Sequence, residues 1–110
     1  MPVITPEMHL GEAIIQVSRG KLGLGIAERN GEIAGLITDG DIRRAMEKWK
    51  AQFFDKTVAD IMTTRPKTVS ADTKISDVQK IMSRYKIHSV LVADKHNHLL
   101  GVVDHYSCMI

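Results

Sequence analysis

The 110-residue chain contains one segment twice, and this internal repeat constrains its fold more than any other feature. Five apolar positions of the first copy align without a gap with five of the second: Ile4, Leu10, Ala13, Val17 and Leu22 with Val69, Ile75, Val78, Met82 and Ile87. After one extra residue, Gly35-Leu36-Ile37 aligns with Gly101-Val102-Val103. A tandem repeat of this length predicts two copies of one supersecondary unit, packed with pseudo-two-fold symmetry. A seam between two such copies is a favoured place for a ligand.

Each copy is predicted to fold as strand, helix, strand, strand, helix, a mixed α/β and α+β class. Apolar residues at i, i+3, i+4 and i+7 from Leu10 predict a helix that ends near Gly20. Asn30-Gly31 is a strong hairpin signal, and Thr38 or Asp39 is a plausible helix cap. The remaining elements expected in the first copy are strands at 3–4, 22–27 and 33–37 and a helix with Ile42, Ala45, Met46 and Trp49 on one side.

The second copy is expected to repeat this order. Thr73 is a plausible cap for its first helix, and residues 95–97 are expected to form its hairpin turn. The other elements expected there are a helical entry at 60–62, strands at 66–69, 90–93 and 99–103, and a last helix at 105–109. The predicted organisation is repeat 1 at 1–50, a linker and entry helix at 51–65, and repeat 2 at 66–110. Repeat 1 lacks an equivalent of the entry segment, which favours the interpretation that this sequence is a piece of a longer chain. Phe53-Phe54 is expected to pack the linker onto the core.

Composition argues against several classes of function. The net charge is only +2, and no Lys/Arg run stands beside interleaved aromatic residues, which argues against nucleic-acid binding. No apolar run approaches the roughly 18 residues that span a membrane. The single cysteine, Cys108, is expected to be a small buried residue and fits a reducing cytoplasm. The histidines and this cysteine suggest no metal site, and no catalytic arrangement is recognisable.

Two motifs carry a resemblance to a known family. They are Val58-Ala59-Asp60-Ile61-Met62-Thr63 and Gly35-Leu36-Ile37-Thr38-Asp39-Gly40-Asp41-Ile42. With the tandem βαββα copies, they resemble the CBS domain, named for cystathionine β-synthase, over nearly the whole chain. The resemblance implies a disc-like pair of domains with two clefts that often hold adenine nucleotides.

A narrower resemblance involves residues 36–46 and 18–24, which are similar to the CBS pair of arabinose-5-phosphate isomerases, especially the capsule-associated ones. It implies an N-terminal sugar isomerase (SIS) domain that converts ribulose 5-phosphate to arabinose 5-phosphate for Kdo, a sugar of lipopolysaccharide and capsule. It also implies a homodimer of CBS pairs within a homotetramer. Because the SIS domain holds the catalytic site, this fragment is expected to catalyse nothing itself.

The candidate ligand site lies where a predicted strand meets a helix. Free N–H groups and the helix dipole at a helix start favour an anion such as phosphate. Thr38 can bond a phosphate oxygen, and Asp41 can accept the hydroxyls of a ribose; the CBS resemblance implies the same roles. Gly40 would leave room for the phosphate and Gly23 for the base. Arg43 or Arg44 could balance the negative charge of the phosphate. Ile4 and Leu24 complete the predicted ligand-binding residues. Helix capping alone would equally explain Thr38 to Asp41.

The second copy departs from this pattern, because Asp104 and Ser107 stand where Thr38 and Asp41 stand in the first. A carboxylate at 104 would repel phosphate, and the acceptor for ribose is missing. A conventional nucleotide is therefore not expected there. By analogy, Lys67, Thr68, His88, Ser89 and Asp104 would line a second cleft for another polar ligand.

Two hypotheses of different class follow. In the first, the module senses a small ligand and regulates the isomerase, with AMP, ADP, ATP or CMP-Kdo as candidates and no required cofactor. In the second, the cleft is empty and the module only helps to assemble the isomerase. The helix surfaces expected to associate carry Ile14, Val17, Ile42, Met46, Ile81 and Met82.

Overall fold

In the computed structural model, which describes residues 3–19 and 23–104, the two copies fall into separate units, Met1–Arg65 and Pro66–Ile110. The first unit contains β1 (Val3–Ile4), α1 (Leu10–Arg19), β2 (Leu24–Arg29), β3 (Glu32–Thr38), α2 (Asp39–Trp49), a 3₁₀ helix (Lys50–Asp55), α3 (Val58–Ile61) and β4 (Thr63–Thr64). The second contains β5 (Thr68–Val69), α4 (Ile75–Tyr85), β6 (Ser89–Ala93) and β7 (Leu99–Asp104). The predicted mixed fold of two repeats is confirmed, and the helix expected at 105–109, with Cys108, lies outside the described residues.

The first unit has a four-stranded sheet in the order β1-β2-β3-β4. β1 runs parallel to β2, while β2 and β3 form an antiparallel hairpin. Asn30 and Gly31 have φ of 56° and 81°, the left-handed geometry that makes Asn-Gly a favoured hairpin turn. β4 adds an edge strand that the sequence did not predict, with Thr64 opposite Gly35.

The second unit has a three-stranded sheet in the order β5-β6-β7. β5 is parallel and β7 antiparallel to β6. The predicted hairpin turn is present, and a carboxylate organises it: Oδ1 of Asp94 accepts the N–H of His96 at 2.8 Å and of His98 at 2.9 Å. The backbone N–H of His98 is the first reason that the pKa of Asp94 lies below its ordinary value.

The predicted helical faces largely match the core of the first unit. Leu10, Ala13 and Val17 of α1 are buried, as the spacing requires. On α2, Ile42 and Ala45 are buried, but Met46 is 41% exposed. Met46, expected on the same side of α2 as Ile42 and Ala45, therefore lies outside the core, since the buried face of α2 is narrower than the apolar stripe in the sequence.

The residues expected to form a linker pack on the first unit. Phe53 of the 3₁₀ helix is buried in the core with Val58 of α3, and the Leu10 N–H donates to the Lys56 carbonyl at 3.0 Å. The prediction that both rings pack on the core is right for Phe53 and wrong for Phe54, which is 62% exposed. The Phe54 ring meets Phe53 edge-on instead, with 5.3 Å between centroids.

In the second unit, α4 packs Val78 and Met82 against Val90 of β6. The predicted cap is wrong: Lys74 is the N-cap of α4 and makes no side-chain cap bond. The Thr73 hydroxyl lies one residue too early to cap and sits 3.1 Å from the Ser70 hydroxyl. The helix ends at Lys86, which adopts the left-handed conformation and donates its N–H to Met82.

Candidate functional site

Thr38 and Asp41 meet at the junction where β3 ends and α2 begins. The Thr38 hydroxyl accepts the Asp41 N–H at 3.2 Å, and Oδ2 of Asp41 accepts the Thr38 N–H at 2.9 Å. This reciprocal pair is a capping box, which satisfies donors that the start of a helix leaves unpaired. The capping role that the sequence allowed is therefore present in the structure.

The second carboxylate oxygen of Asp41 binds a guanidinium. Arg44 Nη2 donates to Asp41 Oδ1 at 2.7 Å, in an i,i+3 pair along α2. The Asp41 side chain is 20% exposed, whereas Arg44 is 69% exposed. Both oxygens of Asp41 thus have protein partners, and the pair with Arg44 is the one open to solvent.

The first turn of α2 offers fewer free donors than the sequence suggested. The Asp39 N–H donates to the Gly23 carbonyl at 2.9 Å, and the Asp41 N–H is used by the capping box. Among the described residues, only the Gly40 N–H at this helix start lacks such a partner. An external acceptor would therefore meet one backbone donor here, together with the nearby Arg44 side chain.

Contacts within the protein leave little room for a side chain at Gly23 or Gly40. Gly23 has φ of +69°, and a Cβ there would lie 2.9 Å from Oδ2 of Asp39. A Cβ on Gly40 would lie 3.2 Å from Nη1 of Arg44. A side chain at 23 would strain the junction, while one at 40 would displace the guanidinium that pairs with Asp41.

The other predicted residues of this site differ in their exposure to solvent. Leu24 lies directly opposite Thr38 in the β2–β3 ladder, and Ile4 lies on the neighbouring strand β1. Both side chains are buried, so Leu24 and Ile4 can offer a ligand only backbone atoms in this conformation. Arg43 is exposed on α2.

The residues predicted for the second cleft fall into two groups. Ser89 and Asp104 face each other across the β6–β7 ladder, and His88 directly precedes Ser89. Thr68 of β5 and Lys67, which directly precedes that strand, line a cavity of about 270 Å³ against α4.

Sequence reasoning missed the helical wall of that cavity, which consists of Lys80, Ile81, Arg84 and Tyr85. The available signal was the i,i+4 spacing of Lys80 and Arg84, which sets two cations on one face of a helix. A larger, open cavity of about 570 Å³ lies beside the second hairpin and is lined by Thr68, Val69, Ser70, Ala71, Ala93, Asp94, Lys95, Asn97 and Leu100.

The described residues contain neither a metal-ligand cluster nor a membrane-spanning helix. Across residues 3–19 and 23–104, no three His, Cys, Asp or Glu side chains converge as a metal site would require. In the same ranges, every helix is too short or too polar to cross a lipid bilayer.

The sequence profile of the CBS domain family matches residues 1–48 and 58–109. The chain therefore belongs to the CBS domain family, whose domains are regulatory rather than catalytic.

Several of the similar curated proteins are named as arabinose 5-phosphate isomerases. A probable arabinose 5-phosphate isomerase of Haemophilus influenzae is 36% identical over 104 residues, which cover 94% of this chain and 31% of the relative. The arabinose 5-phosphate isomerase KpsF of Escherichia coli is 33% identical over 104 residues, covering 94% and 32%. The chain thus spans about a third of the length of the curated relatives it matches.

Solved structures share the fold closely. A CBS domain protein from Pyrobaculum aerophilum, complexed with AMP, has a TM-score of 0.86 at 19% identity, covering 96% of this chain and 80% of its own. The CBS domain pair of protein MJ0100, in complex with 5′-methylthioadenosine and S-adenosyl-L-methionine, has a TM-score of 0.86 at 25% identity, covering 97% and 87%.

Proposed function

We propose that this CBS pair is the ligand-sensing regulatory part of an arabinose 5-phosphate isomerase, and that a nucleotide or nucleotide-sugar binds at the Thr38–Asp41 junction. Relatives that match almost the whole chain include proteins named as such isomerases, which supports the parent reaction from ribulose 5-phosphate to arabinose 5-phosphate. That reaction supplies Kdo for lipopolysaccharide or capsule. We place the protein in the cytoplasm, with a further SIS domain as partner and CBS pairs associated within a homotetramer.

The observation that carries the proposal is the arrangement around Asp41. Its Oδ1 holds an exposed Arg44, and an exposed ion pair contributes only about 0–1 kcal/mol. A ribose hydroxyl can therefore replace the guanidinium at small cost. The released Arg44, with the Gly40 N–H, would then face the phosphate of the same ligand.

The candidate ligands share the two groups that this junction recognises. AMP, ADP and ATP carry a ribose and phosphate, and the related CBS pair at 25% identity is in complex with adenosine derivatives. CMP-Kdo also carries both groups and would report the end product of the pathway. A ligand regulates the isomerase only by its difference in affinity between two states of the module.

A thermal-shift screen against AMP, ADP, ATP, CMP, CMP-Kdo and arabinose 5-phosphate tests the proposal. A ligand at 100 times its dissociation constant adds about 2.7 kcal/mol of stability, which raises the melting temperature of a domain this small by about 4–8 °C per kcal/mol. We expect a rise with at least one nucleotide and its loss in Asp41→Ala.

Asp60→Ala is the matched control for this variant. Asp60 reaches back to the Thr57 N–H at 2.8 Å at the start of α3, as Asp41 does for Thr38. Both variants lose one cap bond, worth about 0.5–2 kcal/mol, but only Asp41 has a proposed ligand. A flat screen, or equal loss of binding in both variants, would contradict the proposal.

The alternative of a purely structural assembly module finds less support. Of its predicted association residues, Val17, Ile42 and Met82 are buried in the cores of their own units. They are therefore unavailable to a second copy, and Met46 is the one that is clearly exposed. Sedimentation of the Met46→Gln variant tests association through this side chain, and the thermal-shift screen tests ligand binding, so the two measurements together separate the two functions.

A further inference from the structure

Three cationic side chains converge on the cavity of about 270 Å³ in the second unit. Lys80 and Arg84 extend from one face of α4, and Lys67 comes from the chain just before β5. The Tyr85 ring gathers two of them, with Lys67 Nζ at 4.0 Å and Arg84 Cζ at 5.6 Å from its centroid. Cation–π attraction thus holds together charges that repel each other.

No carboxylate of the described residues balances this charge. Across residues 3–19 and 23–104, none of Lys67, Lys80 and Arg84 lies within 4.0 Å of an acidic oxygen. The acidic residues between positions 66 and 104 are Asp72, Asp77, Asp94 and Asp104, and none of the four lines the cavity. Asp72 accepts the Ser70 hydroxyl and Asp94 organises the hairpin turn, so both are engaged elsewhere.

We propose that this cavity is an anion subsite that takes the phosphate group of a small phosphorylated metabolite. A guanidinium and two ammonium groups around one concave surface match the oxygens of a phosphate. The half-buried Ile81 and the Tyr85 ring supply an apolar wall for the rest of the ligand. The volume lies just below the range of about 300–1,000 Å³ for small-molecule sites, which favours a sugar phosphate over a whole nucleotide.

This subsite shares no residue with the nucleotide site proposed at Thr38 and Asp41, because every lining residue belongs to the second unit. Its lining also leaves out Asp104, the carboxylate that is expected to repel phosphate.

The test is an amide NMR titration of the chain with inorganic phosphate, ribose 5-phosphate, ribose and AMP. We expect saturable shifts at Lys67, Lys80 and Arg84 with both phosphates and none with ribose. Arg84→Gln should weaken phosphate binding about tenfold, the equivalent of losing one charge-assisted hydrogen bond. Lys95→Gln is the matched control, since it removes the same charge from the same unit outside this cavity.

Each outcome bears on the proposal. If ribose 5-phosphate binds more tightly than inorganic phosphate, the apolar wall contacts the sugar of the ligand. If AMP binds more tightly still, the phosphate that this cavity takes is that of a nucleotide. Absence of saturable shifts at millimolar phosphate, or equal weakening by Lys95→Gln, would overturn it. Asp41→Ala should leave the phosphate-induced shifts at Lys67, Lys80 and Arg84 unchanged, which keeps a failure here distinct from a failure at the nucleotide site.

Discussion

The two repeats align with one inserted residue, yet equivalent positions can be buried in one repeat and exposed in the other. Leu10 begins α1 with 0% exposure, whereas its counterpart Ile75 begins α4 with 52%. The 3₁₀ helix and its Phe53 cover the start of α1, and the described part of the second unit supplies no such cover for α4. Residues outside a repeat can therefore decide the environment of residues inside it.

A second pair of equivalent positions makes the same point. Gly35 of β3 and Gly101 of β7 align in the sequence. A Cβ on Gly35 would lie 2.6 Å from Met62 Sδ and 3.0 Å from the Thr63 carbonyl. A Cβ on Gly101 would meet no heavy atom of the described chain within 4 Å. The segment after α3, which continues into β4, makes glycine necessary in the first repeat only.

The largest expected effect separates Leu10 from Ile75. Leu10→Ala removes a fully buried side chain and should lower the free energy of unfolding by about 2–5 kcal/mol. Ile75→Ala removes a half-exposed one and should change it by less than about 0.5 kcal/mol. Urea denaturation of both variants measures the difference, and equal losses would show that the two helix starts are equally covered.

The next effect separates the two glycines. Gly35→Ala must displace Met62 and should cost about 1–3 kcal/mol, as overpacking does. Gly101→Ala should instead stabilise by about 0.5–1 kcal/mol, because alanine loses less conformational entropy in a strand. Thermal unfolding of the two variants shows whether Gly35→Ala lowers and Gly101→Ala raises the stability. A loss of stability in Gly101→Ala would contradict the free space around Gly101 of β7.

The smallest expected effect separates the two hairpin turns. The first uses Asn30-Gly31 and the second uses the Asp94 carboxylate, whose pKa is lowered chiefly by the His98 N–H. The hydrogen bonds that the ionised Asp94 carboxylate accepts stabilise the turn fully above the ordinary pKa of about 3.9. This contribution is lost as the pH falls through the lower pKa that Asp94 has in the folded state. Amide shifts at His96 and His98 should therefore titrate below about pH 3.9.

Asp94→Asn is the control for this titration and should abolish it. The pKa of Glu7 is also lowered from its ordinary value, chiefly by the side-chain hydrogen bond from Arg29. Because Glu7 binds a side chain rather than a turn N–H, the Asn30 and Gly31 amides should respond less than that of His98. A larger response at Asn30 would contradict the contrast between the two turns.

Local signals in the sequence predicted most of the fold. The spacing from Leu10 to Val17 fixes the buried face of α1, Asn30-Gly31 fixes the first turn, and Thr38 caps α2, because each depends on neighbours a few residues away. The exposure of Ile75 and Phe54 could not be predicted, because it depends on segments distant in the chain. Thr73 failed as a cap because competing polar residues within two positions cannot be ranked from sequence alone.

The candidate site, like the fold, was predictable where it depends on residues close together in the sequence. The sequence identified Thr38 and Asp41 and their capping alternative, and the structure adds the Arg44 contact and the Gly23–Asp39 bond. The i,i+3 spacing of Asp41 and Arg44 permits their ion pair, but only geometry decides that it forms. The basic cavity depends on where β5 lies beside α4, which no local pattern contains.

The most direct test of the account is an amide NMR titration of the chain with AMP and with CMP-Kdo, compared between the two repeats. The account predicts saturable shifts at Thr38, Gly40 and Asp41, with Gly40 moving most because its N–H is the donor left for a phosphate. Equivalent positions around Gly101 and Asp104 should move less. Shifts centred on Gly101 to Asp104, or none at Gly40 with either ligand, would contradict nucleotide binding in the first repeat.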